Sequence, residues 1–143
     1  MRVAIIGCGA IGKKRGCQPD GHEVVGLFDV NRERAERLGK ELQAPCFDNE
    51  EELLEKSRAD VVIVATVNSS LAASALAAVR TKKHVLVEKP GGVKLSELEE
   101  LKGCAETNHV AVKVGFNHRF HHAMRQVTDA YRANGFRNLP CSA

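Results

Sequence analysis

The first twelve residues constrain this chain more than any other part of it. Arg2–Ile6 is a short apolar run, and it passes directly into Gly7-Cys8-Gly9-Ala10-Ile11-Gly12. A G-x-G-x-x-G loop between a strand and a helix is a dinucleotide-binding fingerprint. Gly7 permits the tight turn, Gly9 lets backbone approach a pyrophosphate without a Cβ in the way, and Gly12 lets the helix pack on the strand. The helix start adds free N–H groups and a positive dipole end. A glycine-rich turn with no nucleotide is the plainer reading. The loop's place at the head of a long strand–helix alternation argues against it. Cys8 is read as a small side chain tolerated in the loop, or as a thiol acidified by the helix start.

Six strands are expected: Arg2–Ile6, Glu23–Asp29, Ala44–Phe47, Val61–Ala65, His84–Val87 and Val110–Gly115. Val61-Val62-Ile63-Val64-Ala65 is continuously apolar, as in a strand covered on both faces. Helices fall between them. One opens at Asn31 and aligns Ala35, Leu38 and Leu42; another begins near Asp48 or Asn49 and carries Leu53 and Leu54. A third follows Asn68 with Leu71, Ala75, Leu76 and Val79 at helical spacing. The next has a capping box, Ser96-x-x-Glu99. The last runs from about Phe120 through Ala123, Val127 and Tyr131 and stops at Asn134-Gly135. This alternation predicts an α/β fold, a doubly wound parallel sheet in three α/β/α layers, with a ligand at the switch point.

Asp29 closes the second strand, 17 residues after Gly12. An acidic residue there accepts hydrogen bonds from adenosine ribose hydroxyls and repels a 2′-phosphate, so NAD is expected over NADP. Val30 lies beside it. Arg32 works against that preference, since it could contact a 2′-phosphate or stack on adenine. Asp29 as a mere turn or capping residue is the alternative.

Composition narrows the class. The chain has 143 residues, 43% hydrophobic and 27% charged, with a net charge of +3. That length suits one domain burying roughly 70% of its unfolded surface. The Lys13-Lys14-Arg15 cluster is too short for a nucleic-acid arm, and one Tyr, five Phe and no Trp give little for stacking on bases. Five cysteines without a C-x-x-C pair fit a reduced, cytoplasmic protein. Neither a leader nor a membrane span is expected. His118, His121 and His122 cluster, and His118 and His122 have i, i+4 spacing. No companion ligand stands at a suitable distance, so no metal is expected.

Two further motifs sit at strand ends: Glu88-Lys89-Pro90 after His84–Val87, and Gly115-Phe116-Asn117-His118-Arg119-Phe120. With the glycine loop, the acidic strand end and Asn68, they occur in one order along nearly the whole chain. That ordered set resembles the Gfo/Idh/MocA family (glucose–fructose oxidoreductase and inositol dehydrogenase) of NAD(P)-dependent oxidoreductases. Val67 stands where the family has a proline, and Leu71 where it has a histidine. The resemblance implies that Lys89 is catalytic, beside the nicotinamide and a substrate hydroxyl. It implies that Glu88 contacts the nicotinamide-side ribose region, and that Thr66, Val67 and Asn68 line the cofactor. Asn117, counted also among the cofactor contacts, and Arg119 would form the floor facing substrate. It also implies a second α/β domain that carries most of the substrate pocket, a catalytic histidine and the usual dimer interface. Residues 1–135 are therefore expected to be the dinucleotide domain and 136–143 the start of the second, with family-type dimerisation absent from this stretch.

The expected function is hydride transfer between NAD and a hydroxyl-bearing carbon of a sugar, cyclitol or similar polyol. The rival reading is a stand-alone module that binds dinucleotide without turnover. S-adenosylmethionine also uses a glycine loop and an acidic strand end, but leaves Glu88-Lys89-Pro90 without a role.

Overall fold

A computed structural model describes residues 1–17, 21–117 and 121–134. Its elements, in order, are β1 (Arg2–Ile6), α1 (Ala10–Gly16), β2 (Glu23–Phe28), α2 (Arg32–Leu42), α3 (Glu50–Lys56), β3 (Val61–Val64), α4 (Asn68–Arg80), β4 (His84–Val87), α5 (Leu95–Asn108), β5 (Val112–Val114) and α6 (His122–Asn134). The strands form one parallel sheet in the order β2-β1-β3-β4-β5. The chain winds outward from β1 to β2, then returns to start β3 on the other side of β1. The carboxyl ends of β1 and β3 are thus the switch point where such sheets open a crevice.

Alternation along the strands sorts the core into two layers. Ala4, Ile6, Val62, Val64, Val85 and Val87 face α3, α4 and α5, packing on Leu53, Leu71, Val79 and Leu101. Val3, Ile5, Leu27 and Ile63 face the opposite way, toward Ala35 and Leu38 of α2. Leu86 packs against this second layer.

The sheet has five strands rather than six. Ala44–Phe47 contributes a single parallel bridge, Leu27 to Cys46. The Leu27 amide donates to the Pro45 carbonyl at 3.0 Å, and the Phe47 amide donates to the Leu27 carbonyl at 2.9 Å. Pro45 has no N–H to extend the ladder, and the chain turns at Asp48 into the Asn49 cap of α3. The last strand is also shorter than expected, three residues instead of six.

Asn31 and Asn49 cap α2 and α3, accepting from the Arg34 amide at 3.2 Å and the Glu52 amide at 2.8 Å. The expected Ser96–Glu99 box is displaced. α5 starts two residues sooner, with Lys94 at the cap position. Glu97 supplies the reciprocal half, its Oε2 accepting from the Val93 and Lys94 amides at 2.7 and 3.0 Å. Ser96 is simply a residue of the first turn. Residues 122–133 of α6 are all exposed. Phe120, Gly135 and residues 136–143 lie outside the described residues.

Candidate functional site

The turn at Gly7 is built as the loop pattern requires. Its φ is +96°, and a Cβ there would come within 2.5 Å of the Ala65 carbonyl oxygen. A Cβ on Gly12 would sit 1.8 Å from the Gly7 carbonyl oxygen, so α1 can lie on β1 only without a side chain at that point. Gly9 differs from both. A Cβ on it meets nothing within 4 Å. Its glycine leaves space for something outside the fold, and no side chain caps the helix that starts there.

That space opens into a cleft of about 310 Å³ at the β1/β3 switch point. One wall is Gly7, Gly9, Ala10 and Ile11; the opposite wall is Thr66, Val67 and Ser70. Phe28, Asp29, Val30, Arg34 and Glu50 close the far end. Ile11, Val30 and Val67 expose apolar surface there, at 49%, 93% and 70% of their full area. Apolar walls with a few polar groups are the usual make-up of a cofactor site.

Asp29 is half-buried and its carboxylate is already organised. Oδ2 accepts from the Cys8 amide at 2.7 Å, and Oδ1 accepts from the Asn31 amide at 2.8 Å. Each oxygen keeps a second lone pair for a ligand hydroxyl. Asp29 therefore shapes the loop as well as facing the cleft.

Of the remaining expected residues, Arg32 turns away from the cleft. It pairs with Glu36 at 2.8 Å and with Asp48, and borders a neighbouring hollow instead. Arg34 takes the place beside Asp29, and among the described residues its guanidinium has no carboxylate partner. Gly12 and Asn68 lie off the cleft lining, Gly12 beneath the loop and Asn68 exposed in the first turn of α4. Arg119 and His118 lie outside the described residues.

A second group gathers at the carboxyl ends of β4 and β5. Glu88 is 8% exposed, and Arg15 of α1 donates to its Oε1 from Nε at 2.7 Å and from Nη2 at 2.5 Å. The same Nη2 donates to Asn117 Oδ1 at 3.3 Å. Lys89 and Asn117 are exposed. Sequence reasoning missed Arg15, Arg34, Glu50 and Ser70, which only the folded arrangement of helices brings here.

Cys8 does not carry an acidified thiol. It is 7% exposed, and burial, with the Asp29 charge second, pushes its pKa up to about 12. Among the described residues no group of three or more His, Cys, Asp or Glu is placed to hold a metal, and no helix is long and apolar enough to cross a membrane.

A parallel, doubly wound sheet with a glycine-lined cleft and an acidic wall at its switch point defines a dinucleotide-binding domain. The chain belongs to the Gfo/Idh/MocA oxidoreductase family, NAD-binding Rossmann fold, whose model matches residues 1–116. It is 34% identical to glucose-6-phosphate 3-dehydrogenase of Bacillus subtilis, over 83% of this chain and 34% of that protein. It is similar in structure to UDP-N-acetylglucosamine 3-dehydrogenase from Acidithiobacillus ferrooxidans, with 30% identity, a TM-score of 0.84, and 91% of this chain and 43% of that one covered. Myo-inositol dehydrogenase from Lactobacillus casei, solved in complex with NAD(H) and myo-inositol, superposes with a TM-score of 0.87 at 25% identity, covering 98% of this chain and 43% of that one. The chain thus spans less than half the length of each.

The residues present fit NAD. Gly9 provides a cradle that a methyl group would fill, Asp29 offers carboxylate oxygens for ribose hydroxyls, and Ile11, Val30 and Val67 give apolar faces for flat rings.

Proposed function

We propose that this chain is the cofactor-binding part of a dehydrogenase that moves hydride between NAD and a hydroxyl-bearing carbon of a sugar, cyclitol or similar polyol. The observation that carries the reading is the unfilled face of Gly9, opening into a cleft whose acidic wall is Asp29. The substrate class rests on the relatives, whose names place their chemistry on hydroxyl-bearing sugar and inositol carbons.

Bound NAD supplies the carbon that accepts or returns hydride. The residues of this chain bind, orient and hold a proton. Gly7, Gly9, Ala10, Ile11 and Gly12 form the phosphate grip, and Asp29 with Val30 holds the adenosine end. Two carboxylates, Asp29 and Glu50, against one arginine, Arg34, make that end a poor place for a 2′-phosphate, which favours NAD over NADP. Thr66 and Val67 line the middle, with Asn68 at its edge in the first turn of α4; Glu88 and Asn117 hold the nicotinamide-side ribose region. Lys89 donates from Nζ to the substrate hydroxyl oxygen and stabilises the negative charge that grows there, while the hydroxyl proton passes to a base outside this stretch, the second-domain histidine that the family resemblance implies. Arg119 faces the substrate. Residues 136–143 lead into a second domain with the remaining substrate contacts, and the setting is a reduced cytoplasm, in keeping with the free thiols of Cys8, Cys17, Cys46 and Cys104.

The rival reading, a module that binds dinucleotide without turnover, is favoured by one observation. Among the described residues no carboxylate or imidazole pairs with Lys89 to relay a proton. NADH fluorescence titration tests the shared claim, since the chain has no tryptophan to interfere. Enhancement on binding is expected; no binding of NAD or NADH removes both readings. Polyol-dependent NAD reduction by the longer protein then separates them.

A further inference from the structure

The pair formed by Arg15 and Glu88 joins residues 73 apart in sequence. Its origin is the pleat of β4. Val85 and Val87 face α4 and α5, while Leu86 faces the other layer. Glu88 continues the even-numbered side and so arrives under α1, where Arg15 projects from the last turn. The slot is tight. A Cβ on Gly115 would stand 3.1 Å from Glu88 Oε1 and 3.3 Å from Arg15 Nη2. The side chains of the pair are 23% and 11% exposed.

Glu88 also anchors the turn that carries Lys89. Its amide donates to the Val64 carbonyl at 2.9 Å, and its carbonyl accepts from the Gly91 amide at 2.9 Å. The turn is therefore fixed by backbone bonds at both sides of Glu88 and by one side-chain grip, which Arg15 supplies. Arg15 Nη2 further holds Asn117 by donating to its Oδ1, which leaves the two Nδ2 donors for other partners. One guanidinium thus sets the posture of two groups at the nicotinamide end. It does so from a helix whose first turn belongs to the phosphate grip.

We infer that Arg15 is a positioning residue for the nicotinamide half of the cleft, acting through Glu88 and Asn117. This rests on the NAD reading above. A merely structural Arg15 would affect every ligand alike, or none. A positioning Arg15 would affect NADH and spare ADP, which reaches only the adenosine and pyrophosphate portion.

The test uses the whole chain with Arg15→Lys and Arg15→Met, titrated with NADH and with ADP, and with thermal unfolding measured alongside. Lysine keeps the charge but loses the two-pronged fork. Arg15→Lys should weaken NADH about tenfold while ADP stays within about twofold. Arg15→Met should lose more NADH affinity and some stability, because it leaves a buried carboxylate unpaired. If Arg15→Met does not fold, Arg15→Lys decides alone. Equal losses for both ligands, or no loss for either, overturn the inference. Wild-type protein that binds neither ligand overturns the NAD reading, and the inference with it.

Discussion

Asp29 and Cys8 are joined by a hydrogen bond of 2.7 Å from the Cys8 amide to Oδ2. The acidic end of β2 thereby clamps the glycine loop at the end of β1. Asp29→Ala removes a charge-assisted bond, worth about 1.5–3 kcal/mol, as well as the ribose acceptor. Affinity for both NADH and NADPH should fall through the loop, and NADH should lose more through the ribose. Equal losses in parallel titrations would assign Asp29 to the loop alone.

The glycines of the loop should separate stability from binding. Gly9→Ala adds a methyl group to open space, so the melting temperature should stay near wild type while NADH affinity drops at least about tenfold. Gly12→Ala drives a methyl into the Gly7 carbonyl and should destabilise by about 1–3 kcal/mol or more. Unchanged NADH binding in Gly9→Ala would move the phosphates elsewhere.

Lys89→Ala should leave NADH affinity within about tenfold, since Lys89 is exposed and off the cleft lining. In a form that carries the second domain proposed above, it should abolish turnover with polyols. Wild-type turnover in that variant would end the catalytic assignment.

The two halves of this site were not equally legible in the sequence. The loop, Asp29 and the Asn31 and Asn49 caps depend on neighbours close in the chain, and their residue types announce them. Arg34 rather than Arg32 faces the cleft because two residues turn a helix by about 200°, a phase that composition does not reveal. The Ser96 pattern matched a box that Glu97 in fact completes, two residues earlier in the chain. The third strand failed on Pro45. The Arg15–Glu88 pair depends on which side of the sheet each element packs, and no local pattern holds that information.

Stability should fall in acid through one identifiable pair. Arg2 donates to Asp60 from its backbone amide and guanidinium, tying β1 to the entry of β3, and these bonds lower the Asp60 pKa from 3.8 to about 2. A carboxylate lowered on folding contributes stability above its unfolded value, and that contribution is lost as pH falls through the folded one. Wild type should therefore melt higher than Asp60→Asn at pH 5 to 7. The gap should close as pH approaches about 2. A gap independent of pH would mean that the charge is not what stabilises.

Thiol labelling should rank the cysteines. Cys17 is exposed, whereas Cys8 is buried with its pKa pushed up to about 12. With iodoacetamide near pH 8, Cys17 should react first and Cys8 only after denaturant is added. Early modification of Cys8, read by peptide mass mapping, would show that the loop opens in solution.

Residue parity in β4 has an evolutionary corollary. Gaining or losing a single residue between His84 and Val87 would exchange the two sides of that strand. Glu88 would be driven into the aliphatic layer around Leu101 and Ala105, and a valine would meet Arg15. Length variation in this segment should therefore be tolerated only in pairs.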